Sequence, residues 1–356
     1  MAMPLSADIQ PEDASLPSVS VIMPVYNEEA VIERSLRAVL EQDYPSSKLE
    51  VVVADGMSTD QTRQIVESFQ REHPNVRLIE NPRRIVPCGL NRAIACARGE
   101  VIVRLDGHRQ SPGDSAARGG GARRPLAAVR AGGMLGPMGS ILPQRSIHKA
   151  YFSPVGLGGA ALKASATSDG IREVDAVHGG CWRRERLQEA GGFDEAMVRN
   201  QDDELSFRLR KKGGRIYQHQ GIRVIYHVRN SFRKLFQQFA QYGFWKVEVI
   251  RRHPRQASPR HLAPALLVLA LFSVFVAAPV SPAGAKALFF IVGSYAGTLG
   301  AVSLWQLRHG GLRLWPGVVL ALAAMHLGYG VGFIVGTLRA CFGTLPGDRL
   351  FEQVTR

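Results

Sequence analysis

Asp106 and His108 close the run "VIVRLDGHRQ" (101–110), two ionisable side chains placed directly after a stretch of apolar residues. An aspartate and a histidine two apart on an extended turn can both face one cation. Carboxylate plus imidazole suits Mn2+ or a similarly borderline ion. Each residue alone has a plainer account: Asp-Gly is a common turn, and a strand-end histidine is more often solvated or hydrogen-bonded than a ligand. Two further strand ends strengthen the ionic reading, because Tyr26 with Asn27 follows "VSVIMPV" and Asp55 closes "LEVVVAD".

The elements that must position these residues follow from hydrophobic periodicity. "VSVIMPVY" (19–26) is an apolar, β-branched run, and "EEAVIERSLRAVLEQ" after it repeats its apolar residues at near-helical spacing. "LEVVVADG" is a second strand, and "STDQTRQIVESFQREH" opens with a helix-start signature. A strand at "VRLIE", a helix at "GLNRAIACAR" and a strand at "EVIVRLDG" complete the pattern. Such alternation gives a parallel sheet covered by helices. Ligands of such sheets bind beyond the carboxyl ends of the strands, which puts Tyr26, Asn27, Asp55, Asp106 and His108 on one rim. No glycine-rich phosphate loop comes after the first strand, so a metal has to carry the charge of a bound diphosphate.

The chain of 356 residues carries a formal charge of +14. Between Arg229 and Arg260 lie eight Lys or Arg residues against one acid, Glu248. Immediately C-terminal to them, "LAPALLVLALFSVFVAAPV" (262–280) is uncharged and long enough to cross a bilayer. The basic run is therefore juxtamembrane, where each cation near anionic lipid is favoured by about 1 kcal/mol, and nucleic acid is excluded as a partner. Two more apolar stretches cover 287–305 and 315–338, with Gly293, Gly297, Gly300, Gly328, Gly332 and Gly336 spaced for close helix approach in lipid. A buried hairpin of a soluble protein is the weaker alternative for these lengths. The distribution of Lys and Arg favours a cytoplasmic soluble part in a multi-pass protein of the inner (plasma) membrane. The four cysteines form no C-x-x-C pair and read as free thiols of a reducing compartment. The first residues lack the pattern of a secretory signal and read as a flexible tail.

"VSVIMPVYNEE", "VVVADGMSTDQT", "RLDGH", "GGFDE" and "NQDDELSFRLRKKGG" together resemble the family 2 inverting glycosyltransferases, and more narrowly the succinoglycan or exopolysaccharide type with C-terminal transmembrane helices. The similarity runs from residue 18 to about 255. It implies a GT-A fold, a Rossmann-like α/β domain with a mixed, mainly parallel sheet and helices on both faces. It divides the chain into a tail (1–17), a catalytic domain (18–230), a basic amphipathic interfacial segment (231–260), transmembrane helices (261–340) and a second tail (341–356). It further implies a nucleotide-diphosphate sugar donor, a lipid-linked or saccharide acceptor and Mn2+ or Mg2+, with membrane lipids and polysaccharide-assembly proteins as candidate partners.

Residue by residue, the resemblance makes Tyr26 a stacking surface for the nucleobase and Asp55 its hydrogen-bond acceptor, with Pro24 and Glu28 also at the donor. Asp106 and His108 match the D-x-D metal site, and Asp106 also reaches the donor. Asp202 matches the general base, although Asp203 and Glu204 beside it are alternatives whose other use is to favour the helix dipole. In "QYGFW" (241–245), Gln241 and Trp245 match the donor-binding Q-x-x-R-W of processive relatives, but Phe244 replaces the arginine. That change favours one sugar per encounter over processive synthesis. The same segment also reads as an interfacial helix with aromatics toward the membrane.

One stretch departs from the family. Residues 111–133 hold three consecutive glycines, two prolines and four arginines without a helical period, which suits a flexible loop. A non-catalytic protein that still binds a nucleotide sugar is the alternative this stretch raises.

Overall fold

In the computed structural model the described residues are 16–106, 128–130, 133–134, 141–156, 171–173, 180–219, 223–224, 228–308, 311–343 and 351. They fall into two compact units. In chain order the elements are β1 (Val19–Val25), α1 (Ile32–Leu40), β2 (Leu49–Asp55), α2 (Thr62–Glu72), β3 (Val76–Glu80), α3 (Val86–Cys96), β4 (Val101–Arg104), β5 (Ala128–Arg130) and β6 (Gly133–Met134). There follow α4 (Leu142–Tyr151), β7 (Ile171–Glu173), β8 (Gly180–Arg183), α5 (Arg184–Glu189), α6 (Gln201–Lys211), β9 (Ile216–His219) and β10 (Arg223–Val224). The chain ends in four long helices: α7 (Phe232–Arg252), α8 (Pro259–Ala277), α9 (Pro282–Leu307) and α10 (Trp315–Phe342).

The first unit is built on a sheet of order β3-β2-β1-β4-β8-β5-β9-β7 among the described residues. β1 to β4 run parallel, and β8 joins β4 antiparallel. β1 is buried at every position because both of its faces are covered. Val19, Val21, Met23 and Val25 point to one face, where Ile32, Leu36 and Val39 of α1 and Val66 and Phe69 of α2 close the core. Ile22 points to the other, against Leu90 and Ile94 of α3 and Leu187 of α5. A period of two in the strand thus meets helical stripes on either side.

Strand order reverses between β1 and β4, because β2 and β3 lie on one side of β1 and β4 lies on the other. The carboxyl ends flanking such a switch point form the ligand crevice of open α/β sheets. The glycine-rich stretch 111–133 falls largely outside the described residues. Of its described part, Ala128–Arg130 is a strand rather than loop, with Val129 opposite Cys181 and Ala128 opposite Ile216.

The second unit comprises Gly136–Ser165, Ala196–Glu204 and His227–Arg356. Three of its helical stretches are long and apolar enough to cross a membrane: Pro259–Ala277, Pro282–Leu307 and Leu312–Phe342. Each starts or is preceded by a residue suited to that place. Ser258 and His261 form a reciprocal cap on α8, the Ser281 hydroxyl accepts from Gly284 N–H at 3.3 Å, and Pro lies at the start of all three long helices. Their outer faces carry Phe272, Phe275, Phe289 and Phe290, all exposed, as lipid-facing helices require.

α10 packs along α7 through Gly328, Gly332 and Gly336. A Cβ added at Gly332 would lie 1.8 Å from the Ala240 carbonyl oxygen, and one at Gly336 2.7 Å from that of Phe244. The backbones approach too closely for any side chain there. Gly293 and Gly297 differ from this, since nothing lies within 4 Å of a Cβ at either, and Gly300 meets only the Trp315 ring. Those glycines lie on the open side of α9. The aromatic face of α7 is likewise not open: Phe239, Phe244 and Trp245 are buried.

Candidate active site

β1 and β2 end side by side, with Val25 opposite Asp55. Tyr26 comes next, half-buried, and Gly56 N–H extends the ladder to Val25 O at 2.8 Å. The two loops beyond these strands are joined by their own motif residues. Asp55, fully buried, accepts from the Ser58 hydroxyl at 2.5 Å and the Ser58 N–H at 3.2 Å. Ser58 Oγ in turn accepts from Asn27 N–H at 3.0 Å. Asn27, in the left-handed region at φ 51, accepts from Thr59 N–H at 2.8 Å. Glu28 N–H donates to Thr62 Oγ1 at 2.7 Å, and its side chain is buried. Glu29 N–H reaches Asp60 Oδ2 at 3.2 Å, while Gln61 N–H reaches Glu29 Oε2 at 3.0 Å. The "YNEE" and "DGMSTDQT" motifs therefore hold each other. A carboxylate has about four lone-pair sites, so Asp55 retains acceptor capacity beyond its contacts to Ser58.

Pro24 lies within β1, opposite Ala54. Ile22 pairs with Arg104, and Leu105 N–H continues to Ile22 O at 3.0 Å. This register carries Asp106 to the level of Pro24. Tyr26, Asp55 and Asp106 therefore end three strands at one edge of the sheet, as the sequence places them. His108 lies outside the described residues.

Asp106 is buried and accepts from Arg104 Nε at 2.9 Å. The Arg104 guanidinium also lies 5.7 Å from the ring centre of Phe193, in the "GGFDE" motif. That loop is pinned from several sides. Asn91 donates to Phe193 O and accepts from Phe193 N–H, each at 2.8 Å, and donates to Glu195 Oε1 at 3.0 Å. Arg83 reaches Glu195 Oε2 at 2.6 Å. The two glycines are required: Gly191 and Gly192 have φ of 80 and 68, and a Cβ on Gly192 would sit 2.5 Å from Asn91 Oδ1. The Asn91 hydrogen bond, with those from Cys88 and Arg83, holds the Glu195 carboxyl below its ordinary value. Burial pushes the neighbouring Cys88 thiol up to about 11, so it is inert.

Asp106 offers hard carboxylate oxygen of the kind that Mn2+ or Mg2+ takes. No cluster of three or more His, Cys, Asp or Glu stands ready for a metal among the described residues. Asp106 is the one donor among the described residues here, and its oxygen fits an ion whose remaining ligands come from elsewhere.

In the second unit the three adjacent acids have different surroundings. Asp203 is ion-paired with Lys246 of α7. The Glu204 carboxylate, only 3% exposed, lies 3.2 Å from His253 Nε2. Asp202 is half-buried in the same first turn of α6. Gln241 is buried and accepts from Arg199 Nε at 3.1 Å. Trp245 is buried, and its indole N–H donates to Phe351 O at 2.9 Å; the Phe351 ring stacks on Phe244 at 4.7 Å. Gln241 and Trp245 are thus engaged by the chain's own residues. The sequence reading missed Ser58, Asn91, Arg104 and Lys246. Arg104 alone had a signal, being two residues before Asp106 and so on the same strand face.

Residues 20–118 match the family described as Glycosyl transferase family 2. The fold is similar to that of the mannosyltransferase PcManGT from Pyrobaculum calidifontis, solved in complex with GDP-Man and Mn2+, at a TM-score of 0.57 and 23% identity over 89% of each chain. The chain is a glycosyltransferase that carries a family 2 domain and has the GT-A fold. In sequence it is similar to the succinoglycan biosynthesis protein ExoA of Rhizobium meliloti, 28% identical over 334 residues, which cover 88% of this chain and 93% of that protein. It is also 26% identical over 244 residues (66% of this chain, 74% of the relative) to a Methanococcus voltae dolichyl N-acetyl-alpha-D-glucosaminyl phosphate 3-beta-D-2,3-diacetamido-2,3-dideoxy-beta-D-glucuronosyltransferase.

Proposed function

We propose that this enzyme moves a sugar from a nucleotide-diphosphate donor, a UDP-sugar, to a hydroxyl of a lipid-linked saccharide, inverting the anomeric carbon, in the synthesis of an exopolysaccharide or surface glycan. The observation that carries the reading is the alignment of Tyr26, Asp55 and Asp106 at three strand ends around the switch point. The three apolar helices support an acceptor that resides in the membrane. The glucuronosyltransferase relative, named for a dolichyl phosphate-linked sugar, supports the same class. The catalytic domain lies on the cytoplasmic side of the inner membrane, where nucleotide sugars are made.

Each residue has a part in this reading. Tyr26 stacks on the base, with Pro24 and Glu28 shaping the wall beside it, and Asp55 offers its remaining acceptor capacity to a base N–H. Asp106 and His108 would hold Mn2+ or Mg2+, which would supply positive charge to offset the negative charge building on the departing diphosphate. The acceptor oxygen bonds to the anomeric carbon as the bond from that carbon to the diphosphate oxygen breaks. The proton of the acceptor hydroxyl passes to Asp202, a contribution of about 10²- to 10⁴-fold. Asp202 is preferred over Asp203 and Glu204 by its place in the motif "NQDDEL".

A panel of UDP-, GDP- and dTDP-sugars offered to membranes that hold the wild type or Asp106→Asn, with Mn2+ or with chelator, tests the reading. One donor consumed only with metal and only by the wild type supports it. Transfer that persists in chelator, or in the variant, overturns the metal assignment.

A further inference from the structure

Asp202 lies in a segment, Ala196–Glu204, that belongs to the same compact unit as the four long C-terminal helices. The segment is fastened to α7 and its C-terminal end at four points that bracket Asp202. Arg199 Nε donates to Gln241 Oε1 at 3.1 Å, and Asn200 Nδ2 donates to Tyr242 O at 3.0 Å. Asp203 pairs with Lys246, their side chains 20% and 12% exposed. Glu204 faces His253. Asn200 is in the left-handed region at φ 59, and its carbonyl accepts the first helical hydrogen bond of α6, from Glu204 N–H at 3.0 Å. Asparagine adopts this conformation more readily than other non-glycine residues, and here its side chain also makes the bond to Tyr242 O.

These contacts are more than α6 needs as a helix. Acids in a first turn are already favoured by the dipole, so Asp203 needs no lysine to be tolerated there. A largely buried ion pair adds little net stability over an apolar replacement, because both charges lose their water. The contribution of such a pair is geometry. Its partner, α7, is fixed in turn by the backbone-to-backbone approach of Gly332 and Gly336 of α10.

We infer that Lys246 is a positioning residue for the general base: through Asp203 it fixes the first turn of α6, so that the orientation of Asp202 is set by the membrane-helix unit. The inference rests on Asp202 being the base. A base misplaced by about 1 Å can cost 10²-fold in rate, while the donor-side residues Tyr26, Asp55 and Asp106 lie at strand ends outside this turn.

The test is steady-state transfer by the full chain in membranes, for the wild type, Lys246→Met, Lys246→Arg, and the exchange Asp203→Lys with Lys246→Asp, with Asp202→Asn run in parallel. The expected result is a kcat about tenfold or more lower for Lys246→Met at unchanged donor KM, partial recovery in Lys246→Arg, and recovery in the exchange beyond that of Lys246→Asp alone. Unchanged kcat in Lys246→Met, or an exchange no better than its single parent, overturns the inference. Should Lys246→Met fail to fold, Asn200→Gly keeps the left-handed backbone and removes only the bond to Tyr242. It is expected to show the same loss confined to kcat, and a loss confined to KM contradicts the inference. Full turnover by Asp202→Asn overturns the base assignment itself, a result separate from any effect at Lys246.

Discussion

Arg104 and Asp106, two residues apart at the end of β4, are joined at 2.9 Å with side chains only 5% and 12% exposed. Arg104 also faces Phe193, so one guanidinium ties the proposed metal ligand to the "GGFDE" loop. Removing one partner of such a pair leaves a buried charge uncompensated, at a cost of about 3–5 kcal/mol. Arg104→Met is therefore expected to lower the unfolding temperature of the detergent-solubilised protein clearly and to abolish transfer. An unchanged unfolding temperature would show that the pair does not matter to the fold.

Ser58 serves two partners, Asp55 and the backbone of Asn27. Ser58→Ala removes the hydroxyl's bond to the buried Asp55 carboxylate and loosens both loops, at about 1.5–3 kcal/mol. Because these loops flank Tyr26, the loss is expected in donor KM, by roughly tenfold, with kcat little changed. Kinetics with varied donor decide this, and a change confined to kcat counts against a donor-side role for the loops.

The seam between α7 and α10 tolerates no side chain at Gly332, where a Cβ would meet the Ala240 carbonyl at 1.8 Å. Gly332→Leu must separate the two helices. It is expected to aggregate or fail to extract as a monodisperse species on gel filtration, whereas Gly293→Leu, with open space around its Cβ, extracts as the wild type does. Equal behaviour of the two variants would refute the packing.

Glu195 gives the first unit a defined acid sensitivity. Its carboxyl is held below its ordinary value of 4.5, chiefly by Asn91. The stabilisation is therefore complete above about pH 4.5 and is lost as pH falls through the depressed folded-state value. Its side chain is partly exposed, so the effect is modest. Glu195→Gln is expected to flatten the fall in unfolding temperature below pH 4.5, measured alongside the wild type, and to leave stability at neutral pH only slightly lower.

Much of this molecule is legible in its sequence, for reasons that particular residues make plain. "VRLIE" is β3 residue for residue, because a short apolar run between turn residues has few alternatives. The rim residues Tyr26, Asp55 and Asp106 are given by strand ends alone. The three apolar helices emerge from hydropathy, with ends displaced by a few residues: α8 starts at Pro259 rather than 262 because Ser258 and Pro259 make a better start than Leu262. β5 was not legible, since Ala128–Arg130 is a strand only through its pairing with β8 and β9. Nor were the partners of the acids at 203 and 204, which lie more than 40 positions away at Lys246 and His253. Long-range pairs of this kind leave no local pattern. The glycines at 328, 332 and 336 announced a close helix contact, but nothing in their spacing named α7 as its other side.

Parallel turnover measurements on Asp202→Asn, Asp203→Asn and Glu204→Gln, each with donor binding measured separately, test the central claim most directly. The expected result is that Asp202→Asn binds the nucleotide sugar as the wild type does while kcat falls by about 10²-fold or more, and that the other two lose less. Wild-type kcat in Asp202→Asn, or a deeper loss in either neighbour, would contradict the assignment of Asp202 as the base.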